Sequence, residues 1–182
     1  MNVTTERVLV TGGVRSGKSR YAEGLLDRHG PALYVTPGYP ADPATDPEWA
    51  ARVAAHQARR PSGWRTAETL DLADALTSAD APVLVDCLGV WLTRVLDGWQ
   101  AWEQPRPQWQ ARFDAEVDRL VAAVASSPQR LVLVTNEVGW GVVPAYPAGR
   151  IFADCLGHLN QRVGRVVDRV VLLVAGRALE LP

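Results

Sequence analysis

The segment Gly12-Gly13-Val14-Arg15-Ser16-Gly17-Lys18-Ser19 constrains this chain more than any other. It satisfies the pattern G-x-x-x-x-G-K-[ST] in full. It directly follows the apolar run Arg7-Val8-Leu9-Val10-Thr11 and directly precedes residues with helical spacing. Each residue type has a physical reason. Glycines let backbone N–H groups converge on phosphate oxygens with no Cβ in the way. The first turn of the helix adds partial positive charge. Lys18 can reach the β- and γ-phosphates of a nucleoside triphosphate, and the Ser19 hydroxyl can ligate Mg²⁺. The bland alternative is a glycine-rich turn with an incidental lysine. Composition argues against it, because Lys18 is the chain's only lysine beside 18 arginines. A sequence that drifts toward arginine, as GC-rich coding does, keeps a lysine where a planar fork cannot replace a compact ammonium.

Length and composition fit a single domain, 1–182, of ordinary globular make-up: 182 residues, 47% hydrophobic and 21% charged. They exclude a disordered tail, a collagen-like rod and a disulfide scaffold. With a net charge of −1 and no long basic run, nothing favours a nucleic-acid partner. No apolar stretch approaches the roughly 18 residues of a membrane span, and Met1–Arg7 lacks the pattern of a signal peptide. Cys87 and Cys155 show no metal-ligand spacing and read as buried thiols in a reducing, cytoplasmic setting.

The rest of the chain alternates between strand and helix patterns. Strands are predicted at 7–11, 32–36, 82–88, 130–135 and 168–174, with short ones at 64–68 and 178–181. Helices are predicted from about Lys18 to Arg28, from Pro47 (capped by Asp46) to Arg60, over 70–79, 89–97 and 109–125, and from Ile151 to about Val167. The segments 37–47, 98–108 and 139–149 read as loops, the second as a surface connection. Apolar runs of this kind are buried on both faces, which predicts an α/β fold with a mainly parallel sheet flanked by helices.

Other candidates come with open alternatives. Asp86 ends the apolar run Val83-Leu84-Val85, where an acid can hold the magnesium shell or merely cap the next helix. Asn136 and Glu137 end another strand, and either orient a substrate or water or cap a loop. His29 sits at a helix end and His158 in mid-helix, both unremarkable. His56 shares a helical stripe with Trp49 and Val53 and has Arg52, Arg59 and Arg60 within a turn. Such cations keep an imidazole neutral, which suits attack on phosphorus; the competing reading is a half-buried packing histidine. Trp91, Trp99, Trp102 and Trp109 read by default as core, with a subunit contact or substrate platform as alternatives.

Four motifs together carry a resemblance that spans nearly all of Arg7 to Leu181. They are Gly12 to Glu23; His56-Gln57-Ala58-Arg59-Arg60-Pro61 with Trp64-Arg65-Thr66-Ala67-Glu68; Val134 to Pro144; and Gly157 with Asn160-Gln161-Arg162. In this order they resemble the bifunctional adenosylcobinamide kinase / adenosylcobinamide-phosphate guanylyltransferase family. The resemblance implies a P-loop NTPase fold of RecA-like type with a short antiparallel C-terminal strand, and a homotrimer. It implies phosphorylation of adenosylcobinamide by a nucleoside triphosphate, GTP or ATP, with Mg²⁺. Transfer of GMP from GTP through a covalent histidine–GMP then gives adenosylcobinamide-GDP in adenosylcobalamin synthesis. His56 matches the histidine and joins Lys18 as catalytic. The nucleotide-binding positions that match are Gly13, Val14, Arg15, Ser16, Gly17, Lys18, Ser19, Arg20, Thr36, Pro37, Gly38, Gln57, Ala58, Arg59, Arg60, Glu68 and Asp86, with Ser19 and Asp86 toward the metal. Glu68 and Gln57–Arg60 would contact GMP after transfer. The helix bearing His56 must fold over the phosphate loop and is expected to be mobile. The competing readings are a kinase in which His56 is only structural, and a nucleotide switch without small-molecule turnover.

Overall fold

A computed structural model describes residues 5–27 and 30–182. The expectations for Met1–Thr4, Arg28 and His29 lie outside the described residues. Seven strands form one sheet: β1 (Arg7–Gly12), β2 (Leu33–Thr36), β3 (Arg65–Glu68), β4 (Val83–Asp86), β5 (Leu131–Val134), β6 (Arg169–Val174) and β7 (Arg177–Leu181). Their spatial order is β3-β2-β4-β5-β1-β6-β7. All neighbours run parallel except β6 and β7, which pair as an antiparallel hairpin.

Among the described residues six α-helices connect the strands: α1 (Lys18–Asp27), α2 (Pro47–Arg59), α3 (Leu72–Thr77), α4 (Leu88–Gly98), α5 (Gln110–Ser126) and α6 (Pro147–Gly164). The central strands β1, β4 and β5 are buried on both faces, hence their unbroken apolar runs. One face packs Leu9, Val85, Leu131 and Leu133 against α3, α4, α5 and α6; the other packs Val8, Val10, Leu84 and Val132 with Ala22 and Leu26 of α1. The fold is the α/β class expected, and its C-terminal strand is antiparallel.

Beyond shifts of a few residues at element ends, two segments differ from the sequence reading. The helix expected from Ile151 begins at Pro147, because proline suits the first helical position and gives up no needed N–H. Gly149 therefore lies within α6 rather than in a turn. A Cβ there would come within 2.6 Å of the Tyr146 ring, so the ring's approach explains the glycine. The segment 98–108 is not simply a surface connection. Ala101 is fully buried, Trp102 packs on the core, and a short 3₁₀ turn spans Arg106–Gln108. Trp91 and Trp109 are core residues, as expected by default, and Trp99 and Trp102 are half-buried against that core.

Candidate nucleotide and phosphoryl-transfer site

The loop from Gly12 to Gly17 leaves β1 at the carboxyl end of the sheet and feeds α1. Gly12 has φ 152, and a Cβ on it would sit 2.5 Å from the Leu173 carbonyl and 2.8 Å from Ser16 Oγ. Only glycine lets the chain turn there against β6. Lys18 is 9% exposed and its Nζ donates to the Gly13 carbonyl at 3.0 Å, so the ammonium is folded across the loop's own mouth. Burial holds its pKa below the ordinary lysine value, opposed by Asp86 and reinforced by Arg52. Ser16 Oγ is buried with no hydrogen-bond partner.

A cavity of about 160 Å³ opens over this loop. The phosphate loop gives it Val14, Arg15, Lys18 and Ser19; the ends of β2 and β4 give Tyr34, Thr36, Gly38, Asp86 and Cys87. Helix α2 gives Trp49, Arg52, Val53 and His56, with Arg60 just beyond it, while Val90 and Asn136 close the wall. Asp46 accepts the Trp49 N–H at 2.8 Å and starts α2. The stripe Trp49, Val53, His56 then faces the cavity, although no residue of α2 is fully buried.

Two side chains converge on Asp86, and a third packs on one of them. Tyr34, 1% exposed, donates its hydroxyl to Asp86 Oδ2 at 2.8 Å. His56 Nδ1 lies 3.6 Å from the same oxygen, and its side chain retains 33% exposure. The Arg60 guanidinium stacks over the Tyr34 ring at 3.7 Å and donates to Thr66 Oγ1 at 3.0 Å. Burial is the main reason the His56 pKa falls below the ordinary histidine value; Asp86 pulls it up, and Arg59 and Arg60 push it further down. This corrects the sequence reading. Desolvation leads in keeping the ring neutral, with Arg59 and Arg60 adding to it as expected, while Arg52 acts on Lys18 instead. Burial and Asp86 raise the Tyr34 phenol well above its usual value, and burial pushes the Cys87 thiol up to about 11, so both stay protonated.

The remaining sequence candidates separate into groups. Gly13, Ser16 and Gly17 shape the loop without lining the cavity, and Arg20 lies exposed on α1. The Pro37 and Gly38 carbonyls accept from Arg94 at 3.1 and 2.8 Å. Arg59 turns away to Glu23 at 3.3 Å, and Ala58 is exposed. Gln57, Arg60 and Glu68 line a second, shallower depression, which meets the cavity at Arg60. Asn136 lines the cavity, whereas the Glu137 carboxylate caps its own loop at the Gly139 N–H, 3.2 Å away.

Sequence reasoning missed Tyr34, which sits inside an apolar strand pattern, and Arg94, which braces Pro37 and Gly38. A hydroxyl in a buried strand was the only signal for the first; the second had none. Mg²⁺ fits the donor set. Ser19 and Asp86 share the cavity, and the Tyr34 and His56 contacts of Asp86 both fall on Oδ2, leaving Oδ1. Among the described residues no group of three His, Cys, Asp or Glu side chains could hold a metal alone; magnesium needs few protein ligands when phosphates supply the rest.

A glycine-rich loop ending a central parallel strand, with a buried lysine and an acid two strands away, defines a P-loop NTPase-like α/β protein. The chain belongs to the family described as cobinamide kinase / cobinamide phosphate guanyltransferase, which matches residues 8–181. Three proteins similar to it are each named a bifunctional adenosylcobalamin biosynthesis protein. CobU of Salmonella typhimurium is 39% identical and CobU of Escherichia coli 36% identical, each alignment covering 96% of this chain and 98% of the relative. CobP of Pseudomonas aeruginosa is 40% identical, covering 96% of both chains. Among the described residues no helix is long and apolar enough to cross a membrane.

Proposed function

We propose that this chain carries both transfers of its family within one domain: phosphorylation of adenosylcobinamide by a nucleoside triphosphate, and GMP transfer from GTP to the phosphorylated product. The observation that carries this reading is the convergence of Lys18, His56 and Asp86 on one cavity. In the kinase step the corrinoid hydroxyl oxygen attacks the γ-phosphorus and gives up its proton to solvent, the bond to the bridging oxygen breaks, and the diphosphate leaves. Lys18 and the loop N–H groups offset the charge that develops.

In the second step His56 acts as nucleophile. With Nδ1 facing Asp86, the carboxylate favours the tautomer that carries its proton on that nitrogen and leaves the Nε2 lone pair for attack. Nε2 attacks the α-phosphorus of GTP, a P–N bond forms, and pyrophosphate leaves. A phosphate oxygen of the corrinoid then attacks the same phosphorus and the P–N bond breaks. Splitting one displacement into two lowers each barrier. Ser19 and Asp86 would hold Mg²⁺, which neutralises phosphate charge when bound.

The cavity of about 160 Å³ is smaller than a whole-nucleotide site, commonly about 300–1,000 Å³. It suits the phosphates, and the neighbouring depression at Gln57, Arg60 and Glu68 suits the guanosine, whose N–H edge a carboxylate can accept. A helix with no fully buried residue is weakly held, which supports the expected mobility of α2. Homotrimeric assembly, a cytoplasmic site of action, and ATP as an alternative phosphoryl donor follow from the family resemblance.

Incubation with α-labelled GTP tests the reading. The expected result is an acid-labile label on the protein that His56→Ala abolishes while phosphorylation of cobinamide persists. An unlabelled protein that still phosphorylates cobinamide is a kinase only. A protein whose GTP consumption never responds to corrinoid is neither.

A further inference from the structure

Between Asn136 and α6 the chain turns a run of large apolar side chains into solvent. Val138 is 36% exposed, Trp140 73%, Val142 95%, Val143 74% and Tyr146 65%. The segment 138–146 contains no charged residue. Proteins seldom leave such a patch in water without a ligand or partner for it. Nor is the loop loosely held. At its start Asn160 accepts from Thr135 Oγ1 at 2.7 Å and donates to the Asn136 carbonyl at 3.0 Å, and the Glu137 N–H donates to the Gly12 carbonyl at 3.2 Å. At its end Arg150 donates to the Pro144 and Ala145 carbonyls at 2.9 and 2.8 Å. Fixed at both ends, the loop presents its apolar side chains outward from a determined backbone.

We propose that the loop 138–146 is the seat of the acceptor, with the face of the corrin macrocycle resting on Trp140, Val142 and Val143. The proposal rests on the acceptor reading above. Three observations carry it. The first is position: the loop leaves β5 beside the phosphate loop, and Asn136, two residues before its first exposed valine, lines the cavity that holds Lys18. A ligand lying on the loop can pass a side arm to that cavity. The second is size: a cavity of about 160 Å³ cannot enclose a macrocycle, so the bulk of the acceptor must lie on its rim. The third is chemistry. A corrin ring has broad apolar faces and a periphery of neutral amides, which match an uncharged apolar surface and a tryptophan plane; the triphosphate matches neither. Val14 of the phosphate loop, 72% exposed, adds an apolar side chain at the cavity itself.

The test uses the full chain and cobinamide as the probe. Trp140→Ala and a Val142→Ser/Val143→Ser pair replace exposed side chains and leave the core untouched. Equilibrium dialysis of cobinamide is measured for wild type and variants, together with the corrinoid KM in phosphoryl transfer and the rate of GMP attachment from GTP alone. The expected result is cobinamide affinity weakened roughly tenfold or more, KM raised to match, and GMP attachment unchanged. Variants that bind cobinamide as wild type does overturn the proposal, as do variants that lose only their oligomeric state, which would make the loop a subunit contact. A wild-type protein that binds no cobinamide overturns the acceptor reading itself.

Discussion

His56 Nδ1 stands 3.6 Å from Asp86 Oδ2, joining a helix that has no buried residue to the end of a strand whose other residues, Val83, Leu84 and Val85, are buried. The carboxylate is itself fixed from below by the Tyr34 hydroxyl. One ring nitrogen thereby faces an acid. The orientation is set by side chains from three separate elements.

The neutral imidazole has a pH signature. Burial lowers the His56 pKa, so the reactive unprotonated form is already dominant at the ordinary histidine value, about 6.5. The rate of GMP attachment should rise as pH increases through the lowered pKa and be level from there to neutrality. Asp86→Asn removes the charge that raises this pKa, so the rise should move to still lower pH. Rapid-quench measurement of the labelled protein across pH checks both, and a midpoint above the ordinary value would contradict them.

Tyr34→Phe keeps the ring under Arg60 and removes only the hydroxyl that holds Asp86. A hydrogen bond to a charged acceptor contributes about 1.5–3 kcal/mol. Denaturant unfolding should show a loss in that range. GMP attachment should slow, because the tyrosine positions the acid that His56 faces.

Lys18→Arg tests the meaning of the lone lysine. The ammonium occupies a seat that is 9% exposed, under the Gly13 carbonyl. A planar fork cannot enter it without opening the loop. Steady-state kcat for phosphoryl transfer should fall on the order of 10²–10³-fold, the range for losing an electrostatic stabiliser of the transition state. Thermal stability should change little by comparison.

Gly12→Ala places a methyl group 2.5 Å from the Leu173 carbonyl, at a φ that L residues avoid. Overpacking of this kind costs about 1–3 kcal/mol. The variant should melt earlier, and isothermal titration should show weakened binding of nucleoside triphosphate, since relief of the clash displaces the loop.

The sequence alone fixed whatever depends on near neighbours in the chain. The phosphate loop follows from eight consecutive residues and the strand and helix beside them. The parallel sheet follows from apolar runs interrupted at helical spacing, and the stripe of Trp49, Val53 and His56 from the period of a helix. Tertiary structure decided what these elements meet. Tyr34 read as one more residue of a buried strand, and only its packing beneath Asp86 and Arg60 gave its hydroxyl and ring their partners. Arg59, adjacent to Arg60 in sequence, was drawn off by Glu23, because Arg59 closes the helix while Arg60 is already in extended backbone, so the two side chains meet different neighbours. Desolvation of His56 is a property of the walls around it, and walls come from residues far apart in the chain.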